Sequence, residues 1–399
     1  MDIYIHQDKF HQIVLKKYYI SKIKKEEMTI RRLLCYYQEL ACKSYPTEAK
    51  MSLILGELYD AKFHVSLTFF ASYSLFTYTL TAVDPTFLED KEYTLKRIEE
   101  IFLLLIEAKM NSASADKVLF NRACEIYESN LLSLKENLQT ISIDRALMHY
   151  FKGTTRDFSN YGNLEELSKI TPKMLFSYYE RLKEEETISI GTGRMPASKL
   201  EKNITLTPKR NYHFKDRKNP CKQIIEKAKS QQCYLNIIYE THLFLDDPLS
   251  TACSFLNYIL GGSSSSYLFQ KVREEQGLCY YISSSYLGAS GIILISCILD
   301  PKNIDKALKA IDEALEEIKN FNFDLDEIKN IFISNHRFLE DDLDTVIQNY
   351  LSDTYFLDTP KSLKEISLYR KVTQEDIGKV YQGLKKSFVY ILGGNVDAE

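Results

Sequence analysis

Seven histidines are spread along the chain: His6, His11, His64, His149, His213, His242 and His336, no two of them four residues apart. A helical zinc site needs such a pair, because residues i and i+4 share one face and bind one ion while a neighbouring glutamate serves as base. Neither H-x-x-E-H nor H-E-x-x-H occurs anywhere. A thiol nucleophile would need an imidazole beside it. Cys233 and His242 share one half of the sequence, but neither carries a nucleophile signature, and a core cysteine is the better reading of Cys233. Cys279 reads as small apolar strand filler, and His242 as a turn residue after the strand Tyr234–Tyr239. The chain therefore has no catalytic set of its own.

One stretch carries side chains that could hold a substrate. It runs Gly261-Gly262-Ser263-Ser264-Ser265-Ser266-Tyr267-Leu268-Phe269-Gln270-Lys271-Val272-Arg273-Glu274-Glu275-Gln276-Gly277-Leu278-Cys279-Tyr280. The glycines and serines predict a flexible turn whose hydroxyls cap a helix. Tyr267, Leu268 and Val272 form that helix's buried side, Gly277 ends it as a C-cap glycine, and a strand begins at Cys279. Read alone, Arg273 in its charged run is a solvated helix residue and Tyr280 a half-buried strand residue. The intact motif around them favours a functional role.

The elements that must position these residues come in two copies. Ile170-Thr171-Pro172, a helix through Tyr179 and Leu182, and Ile188-Ser189-Ile190-Gly191 match Val372-Thr373-Gln374, a helix through Tyr381 and Leu384, and Tyr390-Ile391-Leu392-Gly393, at a constant separation of 202 residues. Leu75–Val83 followed by Asp84-Pro85 matches Gly291–Leu299 followed by Asp300-Pro301, here 216 residues apart. An amphipathic helix follows each Asp-Pro, through Leu95, Ile98, Ile101, Phe102 and Leu105 in one copy and Ile304, Leu308, Ile311, Leu315 and Ile318 in the other. Three matches in one order mean duplication. The expected fold is α+β: two tandem homologous α/β sandwich halves, 1–195 and 223–399, each with an antiparallel or mixed sheet. The Lys-, Arg-, Asn- and Pro-rich segment 196–222 is the expected linker.

The Gly/Ser-turn, helix and strand resemble the C-terminal half of pitrilysin/insulinase-type zinc peptidases, mitochondrial processing peptidases included. There the pattern is S-x-L-F-x-x-x-R-E-x-x-G-L-x-Y, matched here by Leu268, Phe269, Arg273, Glu274, Gly277, Leu278 and Tyr280. The resemblance covers essentially the whole chain and is greatest to the zinc-less member of paired bacterial subunits. It implies that Arg273 and Tyr280 bind peptide in trans and donate to a developing oxyanion, supported by the turn at Gly261 and Gly262. It also implies substrate taken up as an added strand. The family's zinc helix aligns with Arg32-Leu33-Leu34-Cys35-Tyr36, which puts Arg32 and Tyr36 at the histidine positions and Cys35 at the base. A guanidinium cannot ligate zinc. The third ligand is expected on the helix from Asp116 to Glu128. By the resemblance this chain binds no cofactor; zinc belongs to a homologous partner subunit, and an unfolded peptide is the substrate. The alternative is a structural or peptide-binding scaffold without a role in proteolysis.

Composition agrees with two folded domains. The 399 residues are 45% hydrophobic and 27% charged. A net charge of -4 with cations and anions intermixed gives no basic stripe for nucleic acid. Met1–Tyr19 does not read as a secretory signal, and the densest apolar run nearby, Ile101–Ile106, is far short of the about 20 residues a bilayer requires. Cysteines at 35, 42, 124, 221, 233, 253, 279 and 297 form no C-x-x-C pair and are expected to be reduced. A cytoplasmic protein without membrane or nucleic-acid partners is the expectation.

Overall fold

Valine-, isoleucine- and tyrosine-rich runs in each half become strands, and the stretches of helical period become helices. The computed structural model describes residues 1–111, 113–207, 223–318, 323–339, 341–357 and 361–393. The first half runs β1 (Ile3–His6), β2 (Gln12–Lys22), α1 (Met28–Leu40), α2 (Glu48–Glu57), β3 (Lys62–Phe70), β4 (Tyr73–Val83) and α3 (Leu95–Leu105). It continues through the two-residue strands β5 (Met110–Asn111) and β6 (Ser114–Ala115), then α4 (Lys117–Glu136), α5 (Leu138–Tyr150), α6 (Leu164–Leu167), α7 (Pro172–Leu182), β7 (Glu186–Gly193) and α8 (Ala197–Leu200). The second half runs β8 (Gln223–Glu226), β9 (Cys233–Glu240), α9 (Ser250–Gly261), a short wide-turned helix Phe269–Glu275, β10 (Tyr281–Leu287) and β11 (Ile292–Leu299). It ends with α10 (Ile304–Ile318), α11 (Leu325–Leu339), α12 (Leu343–Leu351), α13 (Lys361–Lys371), α14 (Gln374–Gly383) and β12 (Lys385–Gly393).

Two five-stranded mixed sheets result, ordered β1-β7-β2-β4-β3 and β8-β12-β9-β11-β10. In both, the first pair is parallel and the other three are antiparallel. Identical order and identical strand direction are what a duplicated half predicts. Thr171 and Thr373 cap α7 and α14 by accepting from the N–H of Met174 and Asp376. Both Asp-Pro pairs turn the chain out of the sheet, at Pro85–Phe87 and Pro301–Asn303.

The strand match needs a correction. Cys233 pairs with Gly393 and Tyr234 with Leu392, while Val14 pairs with Thr192 and Leu15 with Gly191. Gly193, not Gly191, therefore takes the role of Gly393. Both have positive φ, 139° and 118°, and a Cβ would lie 2.5 Å from Ile13 Cγ2 at Gly193 and 2.5 Å from the Gln232 carbonyl oxygen, just before β9, at Gly393. The cause is the connection before the strand: three residues separate α7 from β7, and one separates α14 from β12. A gap of two is needed after all.

The compact units are not contiguous in sequence. One comprises Met1–Ser133, Phe158–Pro208 and Leu339–Tyr355; the other comprises Leu134–Asp157, Lys209–Phe338 and Phe356–Glu399. In the first unit α12 buries Leu343, Ile347 and Leu351, one face at spacings of four, and its Asp344 pairs with the buried Lys16 of β2 at 3.2 Å. In the second, α5 packs Ala146 and Tyr150 against Ile238, Leu294, Phe388 and Tyr390. The main core of each unit includes the expected faces of α3 and α10. Of the expected linker, 196–207 carries α8 and belongs to the first unit, whereas 208–222 lies outside the described residues. Among the described residues no helix is long and apolar enough to cross a membrane.

Candidate functional site

Helix α1 lies in the first unit with Leu33, Leu34, Tyr37 and Leu40 in the core. Arg32 and Tyr36, four apart, share one face, as the sequence predicts. Arg32 is half-buried, and its Nη2 donates to the carbonyl oxygens of Asn160 at 2.5 Å and Leu67 at 3.4 Å. Tyr36 stacks on Tyr127 of α4 with ring centroids 5.0 Å apart, and Asn130 donates to its hydroxyl at 3.2 Å. Cys35 is buried and donates to the Arg31 carbonyl at 3.5 Å; burial pushes its thiol up to about 12. It stays protonated near neutral pH and is no base.

These residues do not fit zinc. One is a fixed cation, one a neutral thiol and one a stacked phenol, and among the described residues no group of three or more His, Cys, Asp or Glu could hold a metal. The helix expected to bear the third ligand does approach α1, but it presents Tyr127 and Asn130 to Tyr36. Asn130 lies two residues beyond the expected Asp116–Glu128 stretch. Neither residue is a usual zinc ligand, so a search for a lost carboxylate passes over both. Asp116 pairs instead with Lys109 at 3.0 Å and accepts from the N–H groups of Val118 and Leu119, a capping role.

The other candidate segment lies in the second unit. Gly261 and Gly262 are the last turn and C-cap of α9 rather than a flexible turn. A Cβ on Gly261 would sit 2.7 Å from the Ser284 nitrogen, and one on Gly262 would sit 2.8 Å from the Tyr258 Cα. These glycines let α9 press onto β10 and bend the chain away. The expected serine cap is absent: the Ser266 hydroxyl is buried without a hydrogen-bond partner, and its carbonyl accepts from Gln270 instead. Gly277 does close the following helix, with φ of 59°. Its N–H bonds the Arg273 carbonyl, and the Leu278 N–H bonds that of Val272.

That helix and strand expose both candidate donors. Tyr280 is 54% exposed, and its hydroxyl donates to Asp300 at 3.1 Å, which raises its pKa and keeps it protonated. The Arg273 side chain is 40% exposed, lies 4.6 Å above the Phe269 ring and is 3.7 Å from Glu274. Cys279 is buried, as expected of strand filler. Hydrogen bonding to Cys297 holds it below its ordinary pKa, with Arg273 pulling the same way. Cys233 begins β9 and His242 lies in the turn beyond its other end, roughly 25–30 Å away along an extended strand; they form no catalytic pair. All seven described cysteines are free. Two cavities, of about 510 and 540 Å³, include none of the candidate residues in their linings.

Comparison with known proteins supplies the context. Residues 173–332 match the family model described as the peptidase M16 inactive domain. Over 429 residues, 99% of this chain and 96% of the relative, the chain is 23% identical to a Bacillus subtilis (strain 168) protein described as "Probable inactive metalloprotease YmfF". A conserved protein from Enterococcus faecalis V583 superposes with a TM-score of 0.86 at 22% identity, covering 99% of this chain and 96% of that one. A protease from Helicobacter pylori superposes with a TM-score of 0.74 at 14% identity, covering 98% and 96%.

Proposed function

We propose that this chain, whose residues 173–332 match the peptidase M16 inactive domain, is an inactive member of the pitrilysin-type, M16 peptidase family and the non-catalytic subunit of a heterodimeric zinc endopeptidase. The homologous partner subunit supplies the zinc. This chain supplies Arg273 and Tyr280 to an unfolded peptide and to the oxyanion formed when that peptide is cut. The duplicated halves 1–195 and 223–399 are the repeats that such a subunit needs to form its share of a peptide chamber. The complex works in the cytoplasm on peptides.

The observation that carries this reading is selective loss. On the alignment that the resemblance implies, Arg32 and Tyr36 stand at the two histidine positions and the buried Cys35 at the base, whereas the Arg/Tyr pair survives seven residues apart with both side chains exposed. Exposed arginine and tyrosine are ordinary on a protein surface, so it is the intact motif around them, and not their exposure, that favours the functional reading. One observation favours the scaffold alternative: the Tyr280 hydroxyl already donates to Asp300, and it must leave that carboxylate before it can serve a substrate.

The test is cleavage of a quenched peptide by the reconstituted pair with Arg273→Ala, Arg273→Lys and Tyr280→Phe in this chain. The oxyanion role predicts a fall of about a hundredfold in kcat for Arg273→Ala, with partial rescue by lysine and unchanged zinc in the partner. Full activity in all three variants would leave only the scaffold.

A further inference from the structure

Among the described residues, strand β3 is the outermost strand of the first unit's sheet, paired only with β4. Such an edge displays main-chain N–H and C=O groups at every second residue, and an extended peptide adds itself by pairing with them. In this chain two of those positions are occupied by side chains of α1. The Val65 N–H donates to Glu39 Oε1 at 2.7 Å, and the Leu67 carbonyl accepts from Arg32 Nη2 at 3.4 Å. Val65 and Leu67 are two residues apart, so their main-chain groups point the same way, away from β4. Glu39 is itself held by His64 of β3, whose Nδ1 contacts the same carboxylate oxygen. Arg32 is fixed from its other side by the Asn160 carbonyl at 2.5 Å.

We infer that Glu39 and Arg32 close the β3 edge of this chain to an added peptide strand. A guest must displace a carboxylate from one N–H and a guanidinium from one C=O, and each charge-assisted bond is worth about a tenfold factor in affinity. The same device recurs elsewhere. At β1, Asn203 accepts from the Tyr4 N–H at 2.7 Å and donates to the Tyr4 carbonyl at 2.8 Å, as a strand residue would. At β10, Asn257 of α9 donates to the Ser284 carbonyl at 3.4 Å. Where Arg32 stands at a lost histidine position, the substitution removes the metal and also plugs the edge beside it. Taken with the function proposed above, this leaves Arg273 and Tyr280, and not the chain's own β3 edge, to hold substrate.

The test uses the full chain without any partner, so it reads the edge whether or not Arg273 serves another subunit. Amide hydrogen exchange is followed at Val65, with Tyr4 as a check on folding, in the wild type, Glu39→Gln, Glu39→Ala and Arg32→Ala/Glu39→Ala. The same four proteins are titrated with a fluorescein-labelled peptide of about ten alternating valines and threonines. Wild type and Glu39→Gln, whose amide oxygen still accepts, are expected to keep Val65 protected and to leave the peptide free. Glu39→Ala is expected to speed exchange at Val65 about tenfold with Tyr4 unchanged, and the double variant to bind the peptide. Binding by the wild type with new protection along β3 would overturn the inference. So would unchanged Val65 exchange in Glu39→Ala, or a double variant that opens but takes up no peptide.

Discussion

Replacing Gly261 by alanine tests whether that glycine is there for close packing. The new Cβ would lie 2.7 Å from both the backbone nitrogen and Oγ of Ser284 and 2.9 Å from its Cβ. Ordinary contact begins near 3.4 Å, so α9 must retreat from β10 by about 0.7 Å. Overpacking of this kind costs about 1–3 kcal/mol. The retreat also weakens the bonds between Asn257 and Ser284, at 3.0 and 3.4 Å, worth about 1 kcal/mol together. Against this stands the helix preference of alanine over glycine, at most about 1 kcal/mol and less in a last turn. The net is a loss of about 1–3 kcal/mol.

Gly378 in α14 is the control. It has nothing within 4 Å of its would-be Cβ, lies in the same unit, and should gain about 0.5–1 kcal/mol from alanine. At about 2–4 °C per kcal/mol for a unit of this size, thermal melts should fall by roughly 5 °C for Gly261→Ala and rise by roughly 2 °C for Gly378→Ala. Equal shifts in the same direction would refute the reasoning, because then only backbone preference would be at work.

Two further outcomes concern the first unit. Arg31, almost wholly buried, makes a bidentate pair with Glu185 at 2.6 and 2.7 Å and donates to Tyr178 and to the Tyr19 carbonyl. Glu185→Ala, which leaves that charge without its carboxylate, should cost about 3–5 kcal/mol in urea melts, and Arg31→Met/Glu185→Leu should recover most of it. His64 has its pKa raised, chiefly by its hydrogen bond to Glu39, with burial opposing and Asp344 assisting. Its contribution to stability is therefore full below the ordinary value near 6.5 and is lost as pH rises through the raised one. The stability gap between wild type and His64→Ala should shrink from pH 6 to pH 9; a gap that widens would contradict the assignment.

What the sequence made legible was local. The threonine caps of α7 and α14, the Asp-Pro exits and the absence of any histidine pair each lie within a few residues, and each was readable without a fold. The halves were readable because the repeat preserves order. Four things were not. The two-residue difference after α7 is invisible when Gly191 and Gly393 happen to align without a gap; only strand register reveals it. The apolar faces of α5 and α12 say that each helix covers something, but not that the sheet it covers belongs to the other half of the sequence. The meeting of Tyr36 with Asn130 spans 94 residues and involves no ligand-type side chain. Glycine at 261 and 262 was read as freedom when its use is closeness, because the absence of a side chain serves both.

The most direct test of the central claim is to purify this chain alone, its zinc-bearing homologue alone and the two together, and to measure bound zinc and cleavage of a quenched peptide in each. The account predicts no zinc in this chain, no cleavage by it, and chelator-sensitive cleavage that requires both subunits. Stoichiometric zinc and full cleavage in this chain by itself would contradict it.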